Sequence, residues 1–215
     1  MCGNELAGGC EIALHADRVQ AAAESYIGLV EVGVGLIPAG GGTKEMLARA
    51  MEAMPDPGGD LLPHVQRVFE TIGFGKVSTS APQARRLGYL RDADGLTMNR
   101  DRVVHDAKQT VLARAADYQP PVPRPAIPVG GPDVLAALSL GIHLAHRAGR
   151  ISDHDATIGR HLARVLSGGD VRHRATLTEQ QMLDLEREAF LRLTGERRTL
   201  ERIAHTLKTG KVLRN

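Results

Sequence analysis

The chain has 215 residues, of which 42% are hydrophobic and 3% aromatic, with no Trp, so its core must be built from aliphatic side chains. Its 27 Lys and Arg nearly balance 25 Asp and Glu. A net charge of +2 excludes a polyanion-coating protein, and no nucleic-acid partner is expected. The basic excess is local ("VRHR", "GERR", "LKTGKVLRN") and reads as a solvated face. Cys2 and Cys10 form no Cys-x-x-Cys pair, no signal-peptide pattern opens the chain, and no apolar run approaches the roughly 20 residues of a membrane span. A reduced, cytoplasmic protein is expected.

In chain order, the glycines before "CEIALHA" predict a helix starting near Gly9 and running to Ala16. "RVQAAAESYIGL" can supply a strand, and the five glycines and one proline of "VEVGVGLIPAGGGT" predict a loop. "TKEMLARAMEAM" puts Met46, Leu47, Ala50, Met51 and Met54 at helical spacing, and "PDPGGD" stops that helix. A further helix is expected over Leu61–Ile72. "STSAPQARRLG" carries a capping box, Ser80 with Gln83, then Pro82 in the first turn and Gly88 at the end. Another helix should cover Arg102–Tyr118. "QPPVPRPAIPVGGP" has six prolines and predicts a stiff polyproline-type connector. Four helices should follow, with Ser152 and Thr178 as two of their caps and Gln181 three positions after Thr178. The expected organisation is a core over 1–118, a linker over 119–132 and a helical region over 133–215.

Three stretches bear on chemistry. Gly8 and Gly9 lack Cβ atoms at a helix start, where free N–H groups suit an oxyanion, and Glu11 lies in the same first turn. Alone, Glu11 is better explained as a complement to the helix dipole. Glu31, between Val30 and Val32, is a carboxylate in an apolar run; it either pairs structurally or is tuned for proton transfer. Two such carboxylates can flank one water, one activating it while the other delivers a proton. Phosphate-loop patterns fail, because Pro38 stands where a dinucleotide fingerprint needs glycine and Lys44 follows Thr43 in reversed order. Gly40 to Thr43 read as a tight turn into a helix. His143 and His146 share a face without the partners of a zinc site, so no metal is expected.

"AGGCEIALHADRV" followed by "YIGLVEVGVGLIPAGGGT" resembles the enoyl-CoA hydratase/isomerase (crotonase) family. Asp17 lies six residues after Glu11. Gly35, Pro38, Gly41, Gly42 and Thr43 fit the family's closing motif. Ala7 stands in place of the first of three glycines, and Val30 in place of a proline. The later stretches "STSAPQARRLGYLRDADGLTMNRDRVVHDAKQ", "GRISDHDATIGRHLARVLSGGD" and "DLEREAFLRLTGERRTLERIAHTLKTGKVLRN" resemble the C-terminal, hydratase-like region of long bacterial 3-hydroxyacyl-CoA dehydrogenases of fatty-acid β-oxidation.

The resemblance implies an α/β fold: the later part of a crotonase-like ββα spiral followed by an all-helical C-terminal region. It implies that Glu11 activates water, Glu31 exchanges the α-carbon proton, and the Gly8 N–H is an oxyanion-hole donor. Gly35, Pro38, Gly41, Gly42 and Thr43 would form a substrate-binding loop. The reaction implied is syn-hydration of a trans-2-enoyl-CoA, the presence of both carboxylates favouring hydration over isomerisation. Coenzyme A enters as the substrate thioester, no cofactor belongs to this chain, and NAD belongs to a dehydrogenase region that precedes the resembled part. A homo-oligomer or a missing N-terminal region is the expected partner. "MCGN" does not read as the strand that leads into Gly8, which suggests a truncated start. The alternative is a non-catalytic remnant serving folding or assembly.

Overall fold

The computed structural model of the chain describes residues 4–215; Cys2 and most of "MCGN" lie outside them. In chain order the described residues form β1 (Asn4–Leu6), α1 (Gly8–Leu14), β2 (Gln20–Ala22), β3 (Tyr26–Gly28), a 3-10 turn over Glu31–Val34, α2 (Gly42–Glu52) and α3 (Leu62–Gly73). There follow α4 (Ala81–Leu87), β4 (Gly95–Thr97), a 3-10 turn over Arg100–Arg102, α5 (Val103–Arg114) and β5 (Ile127–Val129). The chain closes with α6 (Gly131–Arg147), α7 (Asp153–Leu166), β6 (Ala175–Leu177), α8 (Glu179–Thr194) and α9 (Arg197–Thr209).

These elements pack as two compact units that are discontinuous in sequence. One holds 4–29 and Val77–Pro123, the other Val30–Lys76 and Arg124–Asn215. This differs from the sequential 1–118, 119–132 and 133–215 division. Residues 30–76 pack with the later helices because their buried charges find their partners there.

The first unit is organised by two parallel ladders. β1 pairs with β3, and β2 with β4. Its core is aliphatic, with Cys10, Ala21, Leu29 and Ala84 fully buried. Ser78 fastens the returning chain to β3, its N–H donating to Ile27 O at 2.9 Å while its hydroxyl accepts from Ile27 N at 3.1 Å. The buried Tyr89 hydroxyl accepts from Leu29 N. At α4, Ser80 caps Gln83 N as expected. The Gln83 side chain accepts from Thr79, however, so the bond returns one residue earlier than a capping box requires. α5 ends at Arg114, short of Tyr118.

The second unit centres on α2, buried along Gly42–Arg49. Met46, Leu47, Met51 and Met54 enter the core as their spacing predicts, with Val65, Ile72, Leu162, Leu166, Met182 and Leu193 around them. Full capping boxes start α7 at Ser152 with Asp155 and α8 at Thr178 with Gln181. The proline-rich stretch is not simply a polyproline connector. Ile127–Val129 form β5, antiparallel to β6 inside the region expected to be wholly helical. Pro128 is tolerated because a two-stranded ladder leaves a strand edge where no N–H is needed.

Within that stretch, Arg124 is the half-buried hub of an ion cluster whose Lys44, Glu45 and Arg49 are buried. Its Nη1 and Nη2 lie 2.8 and 3.2 Å from the two Glu45 oxygens, and it also bonds Glu52 and Glu179. Lys44 Nζ lies 3.2 Å from Glu45, and Arg49 Nε 3.1 Å. Burial alone pushes the Glu45 carboxyl up. The Arg124 hydrogen bonds and charge, with Lys44 and Arg49, outweigh it and lower the value from 4.5 to about 2. A carboxyl depressed on folding contributes stability that is complete above its unfolded value and lost as pH falls toward the folded one. About 3 kcal/mol should therefore disappear between pH 4.5 and pH 2. Urea midpoints measured across that window should fall steeply, and the Glu45→Gln chain should show a shallower decline; equal slopes would contradict the cluster's role.

Candidate active site

The structure places Gly8 and Glu11 in the first unit. Glu31, Gly35, Pro38, Gly41, Gly42 and Thr43 lie in the second.

In the first unit β1 (Asn4–Leu6) leads into Gly8, while the expectation for "MCGN" lies, Asn4 apart, outside the described residues. β1 runs alongside β3, and Ala7 N continues the ladder to Gly28 O at 2.9 Å. The chain then turns sharply at Ala7, at φ 51° and ψ −123°, the one non-glycine residue with positive φ among those described. That conformation suits glycine, the residue the crotonase-like pattern has there, so Ala7 carries strain. Gly8 opens α1, where its N–H has no carbonyl four residues back to bond. Gly8 is exposed, and a Cβ there would meet nothing within 4 Å. Cys10 and Leu14 form the buried face of α1, leaving Glu11 half-buried to one side of it.

In the second unit Glu31 begins the 3-10 turn, closed by Gly33 N donating to Val30 O at 3.0 Å and by Gly35 at φ 88°. Both Glu31 carboxylate oxygens are shielded from solvent. Helix α9 grips the turn from outside. Arg202, 2% exposed, donates to Val32 O at 3.2 Å and pairs with Asp155 at 2.8 Å. Thr199 donates to Gly35 O at 2.9 Å and must therefore accept from His154 Nε2, also at 2.9 Å, which fixes the proton on that nitrogen. Burial, with the nearby Arg202 charge, pushes the His154 imidazole below its ordinary value and keeps it neutral. The approach is so close that a Cβ on Gly35 would sit 2.8 Å from Thr199 Oγ1, and one on Gly33 2.7 Å from Val212.

The following loop is tied just as tightly. Thr43 Oγ1 donates to Pro38 O at 2.8 Å. The N–H groups of Gly41, at 2.9 Å, and of Lys44 donate to Glu186, which is fully buried on α8. Gly42 is the first residue of α2. Glu186, Thr199 and Arg202 have no counterpart in the sequence expectations. One signal existed for Glu186: it lies on the buried stripe Met182, Glu186, Ala189, Leu193. Arg202 shows that part of the C-terminal basic excess is structural, and His146 pairs with Asp153 at 2.7 Å. Among the described residues no group of three or more His, Cys, Asp or Glu is placed to hold a metal ion.

The geometry has clear relatives. EchA1_1 from Mycobacterium paratuberculosis superposes with a TM-score of 0.54 at 18% identity, covering 98% of this chain and 59% of that one. Carnitinyl-CoA hydratase from Mycobacterium avium does so at 0.52 and 21%, covering 99% and 60%. The chain has a crotonase fold. In sequence, this crotonase-fold chain is 42% identical over 214 residues to a probable 3-hydroxyacyl-CoA dehydrogenase of Bacillus subtilis (strain 168). It is 26% identical over 206 residues to a putative fatty acid oxidation complex trifunctional enzyme of Rickettsia felis. It spans 26% and 25% of the lengths of those two relatives. No protein-family model matches it.

Two stability measurements follow. Ala7→Gly should raise unfolding free energy by about 1 kcal/mol as the left-handed strain is relieved, less the entropy glycine brings; a loss of stability would contradict the strain. Thr199→Val should cost about 1–3 kcal/mol in urea unfolding, because it strands a buried carbonyl and an imidazole N–H; an unchanged midpoint would contradict the clamp.

Proposed function

We propose that this chain is the hydratase-like portion of a fatty-acid β-oxidation protein, adding water to trans-2-enoyl-CoA to give 3-hydroxyacyl-CoA. The observation that carries the proposal is Glu31, a carboxylate withdrawn from solvent on a turn locked by a neighbouring helix. A surface carboxylate needs no such support. One that transfers a proton to carbon gains from fixed geometry and a dry setting. The likeness to a probable 3-hydroxyacyl-CoA dehydrogenase and to a putative fatty acid oxidation complex trifunctional enzyme supports the same reading.

In the proposed reaction the thioester carbonyl takes up negative charge as water adds to C3. The Gly8 N–H at the open start of α1 stabilises that enolate oxygen. Glu11 takes a proton from the attacking water, the hydroxyl bonds to C3, and Glu31 delivers a proton to C2 on the same face. Gly35, Pro38, Gly41, Gly42 and Thr43 serve this site by shaping the loop that carries Glu31. Coenzyme A enters only as part of the substrate, and NAD chemistry falls to another region of proteins like the longer relatives. The proposal includes a cytoplasmic setting and a homo-oligomer or a longer parent chain as partner. No helix among the described residues is long and apolar enough to cross a membrane.

The test follows loss of the conjugated thioester absorbance of crotonyl-CoA. The unaltered chain should hydrate it, and Glu31→Gln and Glu11→Gln should each lower the rate by about 10²–10⁴. Equal rates in the unaltered chain and Glu31→Gln would remove Glu31 from the mechanism. No hydration by the unaltered chain would overturn the catalytic proposal and leave a folding or assembly role.

A further inference from the structure

The first unit contains a cleft of about 460 Å³ where α5 passes the chain that enters β2. Its two walls differ in character. One is apolar: Ala107 and Val111 on α5 recur at helical spacing, and Ala115 and Tyr118 continue the same face past the helix end. Val111 is 66% exposed and Tyr118 45%, while Val103 is the one buried residue of the helix. The alanines on either side of Val111 carry only a methyl group each, so a flat ring can lie along this wall.

The facing wall is charged. Asp17 holds two arginines at once: its carboxylate lies 2.7 Å from Arg114 Nη2, and its carbonyl accepts from Arg18 Nη1 at 2.8 Å. Both arginines line the cleft. Two positive charges are thus gathered around one negative charge, an excess of one. Each guanidinium carries five N–H donors in a planar fork, and among the described residues Asp17 is the polar partner of both. The cleft's other polar side chains are turned to protein groups: Gln20 donates to Thr97, and Thr110 to Asp106 O. A ligand therefore meets the unused guanidinium N–H groups. A planar carboxylate matches that fork, and a single excess charge suits a monoanion rather than a polyanion. The volume falls within the roughly 300–1,000 Å³ of small-molecule sites.

We propose that this cleft binds a small aromatic monocarboxylate, its ring against Val111 and Tyr118 and its carboxylate on Arg18 and Arg114. The site uses none of the residues of the hydratase proposal and stands or falls apart from it. Isothermal titration of the full chain with 2-naphthoate and with its neutral counterpart 2-naphthylmethanol tests it. 2-Naphthoate should bind at least about tenfold more tightly, and the margin should shrink when salt is raised about tenfold. Arg114→Gln should remove most of that margin. Val111→Glu, at an exposed position, sets a like charge on the apolar wall; it should abolish binding while leaving the urea midpoint unchanged. No binding of 2-naphthoate by the parent chain, equal affinity for the neutral alcohol, or unchanged affinity in either variant would overturn the proposal. Displacement of 2-naphthoate by coenzyme A at lower concentration would overturn the assignment to a monoanion.

Discussion

A fully buried carboxylate holds the start of α2, and the loop before it, in place. Glu186 reaches from α8 to the start of α2 and accepts the N–H groups of Gly41 and Lys44. A negative charge buried without partners would be costly; here the partners are amides at the positive end of a helix dipole. The same contact ends the glycine-rich loop and begins the helix that the unit is built around. Because α2 is buried along its first two turns, its own charges also need internal partners, and the Arg124 cluster supplies them.

Seen from that contact, the segment from Glu31 to Lys44 is held at both ends by helices far along the chain. Glu186 fixes the later end. Thr199 and Arg202 fix the earlier end through Gly35 O and Val32 O. Glycines at 33 and 35 allow the approach, since a Cβ at either would overlap Val212 or Thr199. The glycines and Thr43 of this loop thus act as structural parts that set where the Glu31 side chain lies.

Elements defined by local chemistry were legible in the sequence. Helix starts at Ser152 and Thr178 follow from a capping residue and its partner three positions on, and the methionines of α2 follow from periodicity. Elements defined by distant pairing were not. β5 lies in a proline-rich stretch and exists because β6, some forty-five residues later, pairs with it. Arg124 and Glu45 are 79 residues apart, and no spacing rule joins them. For the candidate site, residue types and the family resemblance are what point to Glu11, Glu31 and the glycine loop, whereas the supports of that loop on α8 and α9 are visible only once the chain is folded. Ala7 was legible as a departure from a glycine pattern, and the fold gives it a physical meaning as strain.

The central claim is that α8 and α9 hold the Glu31–Lys44 segment rigid. Amide hydrogen exchange in the native state, comparing the parent chain with Glu186→Gln, tests it most directly. The neutral side chain loses the charge-assisted bonds, so the Gly41 and Lys44 amides should exchange about tenfold faster or more. Amides of β1 and β3 in the first unit should keep their parent rates. Unchanged protection at Gly41 and Lys44, or an equal loss throughout the chain, would contradict the account.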